Sequence, residues 1–247
     1  MYRGLDKKIF HIIMIVIIIF AILCVAGILV LRYEVEGETN MPFEITKIYI
    51  VGSVEGNQVN GATEKWNLNV NQNNDIFIYI EKNPNYRKTE IIEEVQIKNI
   101  TTNKQNEKGE LKLYKPVLDE KRIFINSAEN EITEITYKGD LETKVQEHKI
   151  SNQGGKVAFR YGINNISQYI SETDEQINHS QLLKLTNVTQ EDLKTKLTFD
   201  LIIKLMSGKK YQTTINLDIP ADEVIEEGTV GKEITELKDI VFKRIEN

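Results

Sequence analysis

Residues 9–31 form one apolar run in which only His11 and Gly27 interrupt hydrophobic side chains, and this run constrains the rest of the chain. A helix over it rises ~34 Å at ~1.5 Å per residue, enough to cross a hydrocarbon core of ~30 Å. The pattern predicts a transmembrane helix with ends at Ile9 and Leu31. A wholly soluble chain and a multi-span transporter are both excluded by it. Arg3, Lys7 and Lys8 precede the run against a single Asp6, whereas Arg32 and then Glu34, Glu36 and Glu38 follow it. The basic excess on the short side predicts residues 1–8 in the cytoplasm and the rest of the chain outside it.

Val25-Ala26-Gly27 has some character of a signal-peptidase site, but the run is longer than the ~7–15 residues of a signal peptide and continues through Leu31. Cys24 follows Leu23, where a lipoprotein signal calls for a small residue. An uncleaved signal anchor is therefore the expectation. His11 lies about one turn from the interface, where snorkelling explains it, and no small-xxx-small pair specifies helix dimerisation. The region after the run holds 28 basic and 36 acidic residues once Arg3, Lys7, Lys8 and Asp6 are set aside from the totals of 31 and 37. That balance speaks against nucleic acid and anionic lipid headgroups as partners. The bilayer itself, through the helix, and another envelope or surface protein are the partners expected.

From Met41 onward the chain is rich in Ile, Val, Thr, Tyr and Phe and poor in Ala, which favours pleated structure over helix. In Trp66-Asn67-Leu68-Asn69-Val70-Asn71 every second residue is apolar, the pattern of a strand with one wet face. Leu197, Phe199, Leu201, Ile203 and Leu205 share one face of a strand. Tyr211, Thr213, Ile215, Leu217 and Ile219 share one face of the next, with Ser207-Gly208-Lys209 between. Parity demands an odd-length loop, and opposing apolar faces place Leu205 against Tyr211 and Leu201 against Ile215. Further strands are expected at 43–51, 75–81, 91–100, 122–126, 132–138, 141–150 and 156–163. Thr189 to Asp192 reads as a capping box and a short helical turn at a corner between sheets.

So many short strands suggest two tandem antiparallel sandwiches, immunoglobulin-like in general architecture and in no particular family. The expected organisation is a cytoplasmic end (1–8), the helix (9–31), a linker (32–42), a first sandwich (43–128), a second (129–222) and a final segment (223–247) ending in a strand over 239–245. An amphipathic helix through Ile234, Leu237 and Val241 is the alternative for that tail. With Cys24 as the single cysteine, no disulfide staples these domains.

The chemistry-bearing residues are few. The histidines are His11, His148 and His179, and no exported cysteine exists, so closed Cys/His zinc sites and cysteine nucleophiles are excluded. No His-Glu-x-x-His helix, phosphate-cradling loop or dinucleotide fingerprint is present. His179-Ser180 lacks the geometry and elbow motif of a hydrolytic pair. Asp218, Asp222, Glu223, Glu226 and Glu227, and likewise the stretch 71–75, read as charged or polar turns before they read as calcium ligands. Lys138-Gly139-Asp140 matches a short adhesive tripeptide and is explained by a turn. The sequons at Asn99, Asn165, Asn178 and Asn187 matter only in a glycosylating pathway. No catalytic, cofactor or metal residue is assigned.

One strand is less ordinary. In Ile76-Phe77-Ile78-Tyr79-Ile80 both faces are apolar, which reads as a central strand covered on both sides. The functional alternative makes Phe77 and Tyr79, with Trp66, an aromatic platform for a glycan or partner. The sequence thus predicts a non-catalytic binding or scaffolding module for another envelope or surface protein. Glycan or cell-wall binding, a carboxylate-dependent hydrolase and a purely structural spacer are the rivals.

Overall fold

The computed structural model describes residues 7–36, 41–103, 108–119, 121–144, 148–237 and 239–245. Helix α1 (Lys7–Glu36) contains a stretch, Ile9–Leu29, long and apolar enough to cross a membrane. The side chains of Ile9–Leu29 stand exposed, Phe20 at 67 % and Leu23 at 64 %, so no face of that stretch is spent on packing against the strands, as a core helix would require. The helix continues past Leu31 to Glu36, taking up the first residues of the expected linker. Of the charges that set the expected orientation, Arg3, Asp6 and Glu38 lie outside the described residues, as do the side chains of Lys7, Lys8, Arg32, Glu34 and Glu36.

The remainder is mainly strand. One sheet contains β1 (Phe43–Gln58), β2 (Trp66–Lys82), β4 (Glu110–Tyr114), β7 (Gly155–Ser171) and β10 (Thr229–Ile234), in the order β10-β1-β2-β7-β4. The second contains β3 (Ile92–Thr102), β5 (Ile135–Gly139), β6 (Lys149–Ile150), β8 (Lys196–Leu205), β9 (Lys210–Asp218) and β11 (Lys243–Ile245), in the order β11-β9-β8-β3-β5-β6. All pairs are antiparallel except β5 with β6.

Each sheet draws strands from both sides of residue 128, since β2 pairs with β7 and β3 with β8. This corrects the expectation of one sandwich over 43–128 and another over 129–222. The stretch 127–131, expected as a boundary, is where the chain leaves β4 in the first sheet, makes a 3-10 turn at Ala128–Asn130 and enters β5 in the second. Periodicity assigns the faces of a strand correctly and is silent on its partner. A single core runs between the sheets, from Met41 to Phe242. Ile48, Ile50, Ile76, Ile78, Val157 and Phe159 face Val95, Ile97, Phe199, Leu201 and Ile203, all fully buried, and each such side chain contributes ~1.5–3 kcal/mol by leaving water. Phe159 and Phe199 meet edge-to-face across the gap with centroids 5.3 Å apart.

The β8–β9 hairpin forms with the expected faces and an odd loop, Met206-Ser207-Gly208, closed by Leu205 and Lys209. Its register differs by two residues from the expected one: Ile203 faces Tyr211 and Leu201 faces Thr213. A shift of two keeps every side chain on its face, and the tighter turn is available because Gly208 takes φ +84°. Thr189 caps α3 (Gln190–Leu193), its backbone N–H donating to Asp192 Oδ2 at 2.8 Å, at the corner between β7 and β8 as expected. Two other short helices, α2 (Leu182–Leu185) and α4 (Asp222–Glu227), close one end of the body. Gly52 of β1 makes room for the second, because a Cβ there would lie 2.4 Å from Val224 Cγ2.

The stretch 71–75 is no turn but the middle of β2. In the expected strand 122–126 only Phe124 pairs, in a lone bridge to Pro116, and of 141–150 only the last two residues pair, with 145–147 outside the described residues. The tail holds a strand the sequence did not reveal, β10, and then the short final strand β11 within 239–245. Residue 238 is outside the described residues.

Candidate binding face

β2 is the central strand of the first sheet, and its odd-numbered side chains point away from the shared core. Ile76, Ile78 and Ile80 enter the core, whereas Phe77 belongs to a separate small cluster with Phe124 and Ala158, flanked by Tyr49, Val51 and Tyr79. Phe77 is 8 % exposed and Tyr79 is half-buried. The reading of a strand covered on both sides thus holds for Phe77, and Tyr79 stays open at the surface.

Trp66 does not join them. It lies on the core side of the same strand, packs against the main core and donates its indole N–H to the Thr173 carbonyl at 3.1 Å. The expected platform of Trp66, Phe77 and Tyr79 is therefore split between two faces, since an even and two odd positions of one strand point oppositely. Tyr49, one strand over and opposite Phe77, is the neighbour that sequence reading missed. Its phenol tip lies against Gly231 of β10, where a Cβ would come within 2.1 Å of the Tyr49 hydroxyl. Cations flank this aromatic row: Lys47 Nζ sits 4.7 Å from the Tyr79 centroid and Lys156 Nζ 5.0 Å from that of Phe77.

Next along the face the chemistry turns polar. Arg160 holds Asp75 in a bidentate ion pair, Nε to Oδ1 at 2.5 Å and Nη2 to Oδ2 at 3.1 Å. Its Nη1 donates to Asn126 Oδ1 at 2.9 Å, and Phe124 covers the guanidinium at 5.1 Å. The Asn126 amide in turn donates to Asn73 Oδ1 at 2.9 Å and Asn164 Oδ1 at 3.1 Å, and Asn164 donates to the Tyr114 hydroxyl. Burial pushes the Tyr114 hydroxyl above its ordinary value. These bonds pin Asn126 onto the sheet. Of the asparagines expected to form a wet face, Asn67 and Asn71 are buried and bonded to amide or backbone partners, as is Asn73 farther along, whereas Asn69 is half-buried. Arg160 is the legible signal of this network in the sequence: it is a lone charge within Val157-Ala158-Phe159-Arg160-Tyr161. Between the segment 121–126 and β1 lies an open cavity of about 380 Å³, lined by Glu55, Asn57, Lys121, Arg122, Asn126 and Arg160 among others.

The remaining sequence candidates find structural work. His179 Nδ1 accepts the Gly56 N–H at 3.2 Å, beyond the point where the β10 ladder ends at Ser53 and Thr229. Ser180 turns away to bond Asn178. His148 packs edge-on against Tyr137 at 6.0 Å. Within the acidic stretch Asp222 accepts from Gln190 at 2.6 Å and Glu226 pairs with Lys184 at 2.6 Å, and among the described residues no three such groups converge on a metal position. Lys138 pairs with Glu94 and Asp140 with Lys149 at either side of Gly139. Asn99, Asn165 and Asn187 adopt positive φ near +53°, the turn or bulge conformation that Asn tolerates. Comparison with protein-family models, with curated proteins and with solved structures finds no match to this chain.

Proposed function

We propose that this chain is a single-pass membrane protein, with its amino terminus in the cytoplasm, that presents its two-sheet body outside the cytoplasm as a non-catalytic binding or scaffolding module for another envelope or surface protein. The observation that carries the reading is the outer face of β2. Half-buried Tyr49 and Tyr79 lie there beside Lys47 and Lys156, on a base stiffened by the Arg160–Asp75–Asn126 network. Aromatic rings on a rigid support with polar surroundings are what protein-binding surfaces use as anchors. The loss of Trp66 to the inner side leaves a glycan platform without its largest ring. What the body shares with immunoglobulin-like sandwiches is two packed sheets, and layering alone carries no function.

The test is site-specific photocrosslinking in the native membrane from position 79, with position 214 on the outer face of the second sheet as control. A protein adduct from 79 and none from 214 supports the reading. Adducts to polysaccharide alone, or equal adducts from both positions, overturn it. Protease treatment of a carboxy-terminal tag, before and after opening the membrane, tests the orientation independently.

A further inference from the structure

The cavity beside the aromatic row has a composition unlike that of the chain around it. The protein carries a net charge of −6. Yet among the described residues the cavity is lined by three cations, Lys121, Arg122 and Arg160, against one carboxylate, Glu55. Arg160 is nearly buried at 9 % exposure and held rigidly, and Asp75 and Asn126 take three of the five N–H groups of its guanidinium. One N–H on each terminal nitrogen remains. Arg122 reaches Glu55 only at 3.6 Å and is 65 % exposed, so this is a loose pair that an incoming anion can replace. The Lys121 ammonium has no ionic partner among the described residues. Asn57 and Asn126 add amide groups to the wall.

We propose that this cavity is a carboxylate-binding site, with Arg160 as the fixed donor at its base and Arg122 and Lys121 as the closing cations. A carboxylate matches the planar fork of a guanidinium and is monoanionic, in keeping with a cavity where, once Asp75 is set against Arg160 and Glu55 against Arg122, the one cation left over is Lys121. At about 380 Å³ the space suits an acidic side chain with its neighbours or a small organic acid. The carboxylate arrives either on an acidic segment of the protein partner or as a free acid. The first source rests on the docking role proposed above; the second does not.

The experiment titrates the detergent-solubilised full chain with a fluorescent peptide carrying four consecutive glutamates, with the same peptide carrying glutamines, and with free glutarate as competitor. The expected result is binding of the glutamate peptide that weakens with added salt, no binding of the glutamine peptide, and at least a tenfold loss in the double variant Lys121→Ala, Arg122→Ala. Those two side chains are exposed, so the double variant folds where Arg160→Ala is at risk, and its thermal unfolding is compared with that of the parent. Displacement by equimolar glutarate assigns the site to a free acid; displacement only at large excess assigns it to an acidic segment. Equal binding of both peptides, binding untouched by the double variant, or no binding of either glutamate peptide or glutarate overturns the proposal. Where the titrations fail and crosslinking from position 79 still forms, the docking role stands while this site falls.

Discussion

The hydroxyl of Tyr137, on β5 of the second sheet, bonds both backbone groups of Ala158 on β7 of the first: it donates to the carbonyl and accepts from the N–H at 3.1 Å. The cause lies in the edge strand β4. Tyr114 faces Arg160 at the end of its ladder, and continuing that register places Pro116 opposite Ala158. Proline has no N–H to offer, and the chain leaves the sheet there. Tyr137 reaches through the sandwich and serves in its place, buried enough that its hydroxyl is pushed well above the ordinary phenol value.

Tyr137→Phe keeps the ring and removes both bonds, leaving two buried backbone groups without partners. The expected loss is about 2–4 kcal/mol, read from the denaturant midpoint of the full chain in detergent. A loss below about 0.5 kcal/mol would show that water replaces the hydroxyl.

Gly139 sits in the tripeptide that imitates an adhesive motif, and its smallness is a packing requirement. A Cβ there would lie 2.4 Å from Asn152 Nδ2 and 2.6 Å from the Ile92 carbonyl, two atoms that already bond each other at 2.6 Å. Gly139→Ala is expected to cost about 2–3 kcal/mol. Asp140→Ala removes only a surface pair with Lys149 and is expected to stay within about 0.5 kcal/mol. Loss of cell adhesion with Asp140→Ala at unchanged stability would restore the adhesive reading.

Acid has a defined point of attack. Burial alone would raise the Asp192 carboxyl, but Lys108 at 2.8 Å and the backbone and hydroxyl of Thr189 outweigh it and hold the group at about 2, below the ordinary 3.8. A depressed carboxylate stabilises the fold above its unfolded value and loses that contribution as pH falls through its folded one. Allowing for solvent around Lys108, Asp192→Asn is expected to cost about 1–2 kcal/mol at neutral pH, and the gap to the parent closes from about pH 4 to about pH 2. Unfolding curves of both proteins across that range decide it; a gap constant with pH would assign the loss to the cap geometry alone.

Gly231→Ala separates the binding face from the core. The added methyl meets the tip of the Tyr49 ring, which swings outward at little cost, so stability is expected to change by less than about 1 kcal/mol. Crosslinking from position 79 is expected to fall severalfold because Tyr49 is moved from its place beside Phe77 and Tyr79. Unchanged crosslinking would remove Tyr49 from the face.

The sequence carried the faces of the strands and lost their neighbours. Leu197 to Leu205 and Tyr211 to Ile219 alternate so regularly that their hairpin follows from parity, and Gly208 decides its length. Nothing local in β2 announces β7 as its neighbour, because that pairing is settled by the shared core. The same limit hid the binding face. Alternation put Phe77 and Tyr79 together, but Tyr49, Phe124 and Arg160 come from three other segments and meet them only through the β1–β2 and β2–β7 registers and the Asn126 bonds. Trp66 stands at an even position of β2 and Phe77 and Tyr79 at odd ones, so strand parity already separates it from them.

The repeated passage of the chain between the two sheets bears on how the protein is made. Synthesis from the amino terminus delivers β1 and β2 first, yet the second neighbour of β2 arrives only with residues 155–171, and the free side of β1 is covered only by residues 229–234. Until then a two-stranded ribbon with Ile48, Ile50, Ile76 and Ile78 on one side stands open, and pairings so distant along the chain close slowly. Newly emerging copies are thus most adhesive to one another before the last quarter of the chain is in place. A nascent chain of this design has reason to be shielded by a chaperone on the side of the membrane where it folds.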